Sequence, residues 1–249
     1  MRSLSSFIHL FGILPKSRPE LIDHAYRIYR IADHEKRNRR AAEFVAKHHT
    51  MWCNIRFLGA WDTVAALGIP ISFLNHLMSV LPFFRHRFQD LSLSESVEYA
   101  RHALAIDDER KLFHPVVWEP HLNDHQTLDQ VWFCGVHTDI GGGYAEQELS
   151  DIPLGWMRDE AVSFGLRLYS DHAVTLHPDV NGVMHDSRGS GVARIYPKKI
   201  RHWDSGKRGL PVVHESVVKR TLSARGNGSE GYSPWILESD YDIRRAKST

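Results

Sequence analysis

Cysteine is scarce in this 249-residue chain, and the two present, Cys53 and Cys134, can build no disulfide framework and match no zinc-ligand spacing. They read as buried thiols in a reducing compartment. Charge of one sign is missing as well: 31 basic against 30 acidic side chains leave a formal net charge of +1, which excludes the basic excess of a nucleic-acid binder. No apolar run is long enough to span a bilayer, which takes about 20 nearly uninterrupted residues; the region 57–84 is broken by Asp62, Pro70, Asn75, His76 and Pro82. Residues 7–14 follow Arg2 as a short apolar run, but His9 interrupts it and Pro15-Lys16 replaces a small-residue cleavage site. These absences point to a cytoplasmic chain. Repeats and low-complexity tracts are also absent. What remains, with 42% hydrophobic residues, suffices for a sizeable core, and one domain over 1–249 is expected.

Periodicity predicts helices over 19–31 and through Ala41-Ala42-Glu43-Phe44-Val45-Ala46, then a short buried strand through Ile55, Phe57, Leu58 and Trp61 that closes at Asp62. Between Pro70 and Pro82, Phe73, Leu74, Leu77, Met78 and Leu81 share one helical face, so 69–84 reads as an amphipathic helix, either packed in the core or serving as a lid or lipid-facing surface. Ser92 and Glu95 have the form of a capping box ahead of Val97, Ala100 and Leu104, predicting a helix to about Ile106. Gln130 to Val136 is a second short buried strand. Ser150 or Asp151, with Pro153 in the first turn, opens a helix through about Leu166, with Leu154, Met157, Ala161 and Phe164 inward. Residues 170–249 are less periodic, with short strands, loops and a helix near 216–222. Short buried strands alternating with helices predict an α/β architecture with a parallel sheet.

Asp62 and His137 each follow a strand, where ligands of open α/β sheets bind. An imidazole exchanges protons near neutral pH, and a carboxylate on its other nitrogen fixes the tautomer and stabilises the imidazolium. Asp62 beside Thr63 equally fits an N-cap. His137 stands out among the histidines because Gly141-Gly142-Gly143 follows it, a run that lacks the Lys-Ser or Lys-Thr of a phosphate loop. His137 and Asp139 could begin a metal site, but no third or fourth ligand is identifiable, so neither metal nor cofactor is expected. Asp107-Asp108-Glu109 before Arg110-Lys111 reads as a solvated helix end with local ion pairs, the sharper alternative being an Arg110 salt bridge that orders loops at the site. Core packing is the default for every tryptophan.

The strings Phe57-Leu58-Gly59-Ala60-Trp61-Asp62-Thr63-Val64 and Val131-Trp132-Phe133-Cys134-Gly135-Val136-His137-Thr138-Asp139-Ile140-Gly141-Gly142-Gly143-Tyr144 resemble those of the α/β-hydrolase family of type VI secretion phospholipase effectors. Residues 103–110, 149–157 and 214–217 agree with it. The resemblance implies a partial α/β-hydrolase fold, a parallel sheet flanked by helices. It also implies Asp62 and His137 as members of a Ser-Asp-His triad, a phospholipid or other ester substrate, and peripheral membrane contact. Cys134 stands where relatives often have proline.

The family's Gly-x-Ser-x-Gly elbow is not in this sequence. Ser190 lies between Gly189 and Gly191, and Ser229 follows Asn227-Gly228, so neither has the spacing. Residues 2–14 look like the remainder of the helix after the elbow, which implies that the N-terminal strands and the nucleophile belong upstream of Met1. The expectation is therefore the C-terminal part of a serine esterase or phospholipase, inactive alone. A non-catalytic lipid- or partner-binding relative is the alternative, and a metal-dependent hydrolase the third reading.

Overall fold

The computed structural model describes residues 2–64, 92–169, 175–189, 194, 196–226 and 231–246. The amphipathic segment 69–84 lies outside the described residues, as do Ser190 and Ser229.

Three helices come first: α1 (Arg2–Phe11), α2 (Glu20–Tyr29) and α3 (His34–His48). Asp33 starts α3 by accepting a hydrogen bond from the Lys36 amide at 2.9 Å, and His49 ends it in the left-handed conformation at φ +50°. Phe11, Leu21, Ala25, Ile28, Ala41 and Phe44 form a core belonging to these helices alone.

The sheet follows: β1 (Ile55–Trp61), β2 (Val97–Ala105), β3 (Thr127–Phe133), β4 (Val212–His214) and β5 (Asp242–Arg244), all parallel and ordered as in the chain. The helices α4 (His137–Gly141), α5 (Glu148–Ser163) and α6 (Glu215–Gly226) complete the flanking layers. This is a parallel sheet flanked by helices, an α/β-hydrolase-like arrangement. Among the described residues β1 has a strand partner only on its β2 side.

The helix expected over 92–106 is instead β2. Its register runs from Val97 opposite Ile55 to Ala103 opposite Trp61, with β3 on its other side. A central parallel strand is buried on both faces and shows no polar alternation, so the helical spacing of Val97, Ala100 and Leu104 is incidental. Packing reveals the true period of two. Ala103, Ala105, Val131 and Phe133 meet Trp156 and Met157 of α5, while Leu104, Ile106, Trp132 and Cys134 pack with Val217 of α6 and Ile236. Large side chains buried this way stabilise by about 1.5–3 kcal/mol each. Gly59 permits the close approach of α5, since a Cβ there would fall 2.8 Å from Met157 Sδ.

α5 begins before Ser150, at Glu148, so Pro153 lies inside it; Leu149 and Trp156 face inward, whereas Leu154 is exposed. Trp118, Trp132, Trp156 and Trp203 are buried as expected, but Trp52 is 60% exposed, against the core default. Cys134 is a buried free thiol, its pKa pushed up by burial to about 12, and Cys53 is a free thiol that is only half-buried. No helix of the described residues is long and apolar enough to cross a membrane.

Candidate active site

The last rung of β1 is the Asp62 amide donating to the Ala103 carbonyl at 2.7 Å. Asp62 then takes φ +37°, a left-handed turn that Asp tolerates better than most residues, and its carboxylate swings across the end of β2. There the Ala105 amide donates to Oδ1 at 2.9 Å. The next residue is held too, the Thr63 amide donating to His102 Nε2 at 3.1 Å.

The Asp62 carboxylate is completely buried, which would favour its neutral form. Arg201 reverses that preference. Its Nη1 and Nη2 donate to Oδ1 and Oδ2 at 2.6 and 2.9 Å, a bidentate pair with both side chains fully buried. The remaining donors of Arg201 reach the Asp108, Ala105 and Phe113 carbonyls. Burial pushes the Asp62 pKa up, but attraction to Arg201 and hydrogen bonds from His137, Arg201 and Ala105 outweigh it and hold the carboxyl well below the usual range.

His137 reaches the same point from β3. Gly135 makes the turn at φ +111°, where a Cβ would fall 2.6 Å from Asp139 Cβ, so only glycine fits. His137 opens α4, and its amide donates to Asp108 Oδ2 at 3.1 Å. Its Nδ1 donates to Asp62 Oδ2 at 2.7 Å. Because an ionised Asp62 only accepts, this contact puts the ring proton on Nδ1 and leaves the Nε2 lone pair outward. No hydrogen bond engages Nε2 among the described residues, and the side chain is 30% exposed. Phe113 packs edge-on against the imidazole with ring centroids 5.5 Å apart.

The acidic cluster is no solvated helix end. Asp108 is 1% exposed, and besides the His137 amide it takes Arg110 Nε and Nη2 at 3.0 and 2.6 Å, so the Arg110 salt bridge does order the loop under His137. Asp107 accepts from the Gly135 amide and the Tyr232 hydroxyl at 2.7 and 2.9 Å. With no guanidinium bonded to it, burial raises its pKa to about 6.

The structure therefore brings Asp62 and His137 together. It turns Asp139 elsewhere: Oδ2 accepts from the Val136 and His185 amides at 2.9 and 3.2 Å, and Oδ1 from His185 Nδ1 at 2.7 Å. His137 and Asp139 thus face different partners rather than one metal, and among the described residues no group of three metal-ligating side chains occurs. Gly142 and Gly143 take positive φ and close α4. Sequence reasoning missed Arg201 and His185. Arg201 lies in Lys198-Lys199-Ile200-Arg201, which looks like any solvated basic stretch, and His185 lies in an aperiodic segment.

An imidazole fixed by a buried carboxylate, with its second nitrogen outward, can take a proton from a hydroxyl and later return it. No serine or cysteine side chain is bonded to His137 among the described residues. Ser216 does lie 2.9 Å from His214 Nδ1, but both are buried at the start of α6, where the Ser216 amide also donates to that nitrogen. Burial lowers the His214 pKa to about 4, so this imidazole is neutral and a weak proton acceptor, and the contact serves to cap the helix.

The parallel sheet flanked by helices is an α/β-hydrolase-like arrangement, and at its strand ends a histidine is bonded to a buried aspartate. Residues 1–160 match the family described as T6SS, phospholipase effector Tle1-like, catalytic domain. The chain belongs to this family of Tle1-like phospholipase-effector catalytic domains. A stretch of 45 residues is 42% identical to an uncharacterized protein of Saccharomyces cerevisiae, YEL023C, covering 16% of this chain and 7% of that protein. The match thus spans a small fraction of that curated relative's length. No solved structure matches the chain.

Proposed function

We propose that this chain supplies the aspartate and histidine of a serine acyl-hydrolase triad acting on phospholipid esters, with the serine coming from outside these residues. The observation that carries the reading is the Nδ1-to-carboxylate bond of His137 and Asp62 at 2.7 Å beside an Nε2 that no described residue engages. His137 Nε2 removes the serine proton as the hydroxyl attacks the ester carbonyl. The imidazolium then protonates the leaving alkoxide, and a water repeats the cycle on the acyl-enzyme. Asp62 stays ionised throughout, because Arg201 holds its charge. Phospholipid as substrate rests on the family to which the chain belongs.

The sequence contains no Gly-x-Ser-x-Gly, and β1 has an unpaired side among the described residues where a further strand bearing such an elbow would dock. Without the serine and its oxyanion donors the pair has nothing to activate, so the chain alone is inactive. Treatment of the purified chain with a serine-directed fluorophosphonate tests this. It should leave the protein unlabelled and release no fatty acid from phospholipid. Joined to an elbow-bearing segment encoded upstream, the protein should label at that serine and hydrolyse ester, and His137→Ala should abolish hydrolysis. Labelling of the isolated chain that depends on His137 would instead place the nucleophile within these residues.

A further inference from the structure

The helices that precede the sheet carry a feature that the hydrolase reading does not use. Between α2 and α3 opens a cleft of about 570 Å³. Its walls hold Arg27, Lys36, Arg40 and Lys47 together with His24 and His48, and Glu43 is the acidic residue of the lining. Glu43 is engaged by Arg40 at 3.8 Å, an exposed pair of little strength, so the positive excess survives. Ile28 and Phe44, both buried, form the apolar floor. This local excess stands out in a chain whose formal net charge is only +1.

Two further observations point to a ligand. His48 Nε2 is a buried side-chain nitrogen with no hydrogen-bond partner among the described residues, and it belongs to the cleft lining. Burial first, then Arg18, Lys47 and His24, lower the His48 pKa, with Glu20 opposing, which marks the local field as positive. The second observation is the rim. Directly after Lys47 and His48 the chain runs through a left-handed His49 into Met51 and Trp52, which are 63% and 60% exposed. Met51 bridges to Ile13, itself 48% exposed, so three large apolar side chains face solvent in the segments that follow α1 and α3, the latter being the helix that supplies Lys47 and His48 to the cleft.

We infer that this helical face docks on anionic phospholipid bilayers, with the cleft between α2 and α3 receiving a lipid phosphate and Met51, Trp52 and Ile13 entering the interface. Cations match the phosphate, while an amphipathic indole next to thioether and aliphatic carbons suits the headgroup boundary. A free phosphate would use the cations but gain nothing from the apolar rim. Nucleic acid would gain nothing from Met51 and Ile13. The docking site shares no residue with the Asp62–His137 pair, so either reading can fail while the other stands.

The test is co-sedimentation of the full chain with vesicles of phosphatidylcholine alone or with phosphatidylglycerol added. Binding should require phosphatidylglycerol and weaken as salt rises. Lys36→Ala and Lys47→Ala, both at exposed positions, should each weaken it about fivefold. Trp52→Ser should weaken vesicle binding while leaving glycerophosphate binding, measured by calorimetry, unchanged. His137→Ala should leave vesicle binding as it was. Equal binding to both vesicles, glycerophosphate binding without vesicle binding, or duplex DNA competing as well as phosphatidylglycerol vesicles would each overturn the inference.

Discussion

Two aspartate–histidine pairs meet at α4, Asp62 with His137 and Asp139 with His185, each joined from Nδ1 to a carboxylate oxygen at 2.7 Å. Their surroundings differ. Asp62 is gripped by a buried guanidinium and no described residue engages His137 Nε2, whereas Asp139 takes main-chain amides, and His185 lies flat against Tyr144 with Nε2 3.6 Å from Glu146 Oε2. On the proposed function the first pair passes a proton, while the bonds of the second clasp residues 185 and 136–139 together. A short Asp–His distance therefore says little by itself; what holds the carboxylate's charge and what faces the other nitrogen decide its use.

The two pairs should differ most in their effect on turnover. If a nucleophile-bearing segment completes the proposed triad, Asp62→Asn in the joined protein should lower turnover by about 10⁴-fold, since the amide no longer enforces the tautomer. His185→Ala should change turnover far less, and equal losses would mean that the pairs are not distinct in role.

Stability comes next. Arg201→Met strands a buried carboxylate and should cost about 3–5 kcal/mol in urea unfolding. Among the described residues no guanidinium pairs with Asp139, and His185→Ala should cost only about 1–2 kcal/mol. A loss below about 1 kcal/mol for Arg201→Met would show that other groups hold the Asp62 charge.

Asp107 isolates the role of the guanidinium, being half-buried beside the same loop with none bonded to it among the described residues. Its folded pKa of about 6 exceeds the ordinary 3.8, so the folded state holds an extra proton between those values. Stability contributed at this site should fall as pH rises from about 4 to 6, by up to about 3 kcal/mol, and level off above. Asp107→Asn should flatten that slope, measured as the unfolding free energy of both proteins across this range. Asp62 has the opposite sign: its lowered pKa stabilises the fold above about 3.8, and the contribution is lost as pH falls below that value. The smallest effect belongs to the clasp's cover, where Tyr144→Ala should cost about 0.5–1.5 kcal/mol in the same assay.

The sequence made β1, β3 and the turns after them legible, because short apolar runs closing on Asp62 and on His137 are local signals. β2 was misread because a strand buried on both faces looks continuous, and Ala and Leu at 100 and 104 mimic a helical stripe. Asp108 and Arg110 looked solvated because burial there is imposed by residues distant in sequence, Arg201 and His137 among them. Arg201 itself left no trace: it lies far along the chain in an aperiodic segment, and its five hydrogen bonds end on groups from Asp62 to Phe113. Patterns local in sequence expose strand ends, while charge compensation is a property of the fold.

The left-handed backbone of Asp62 limits the position in a different way. At φ +37° an ordinary L-residue crowds its own carbonyl at roughly 1–2 kcal/mol, whereas asparagine tolerates the conformation and glycine adopts it freely. Asparagine is thus the exchange that removes the charge while keeping both shape and turn. Alanine would deform the main chain as well as delete the carboxylate, and glutamate would carry its charge past Arg201. Aspartate at this point is fixed twice, once by its electrostatics and once by the turn that aims it.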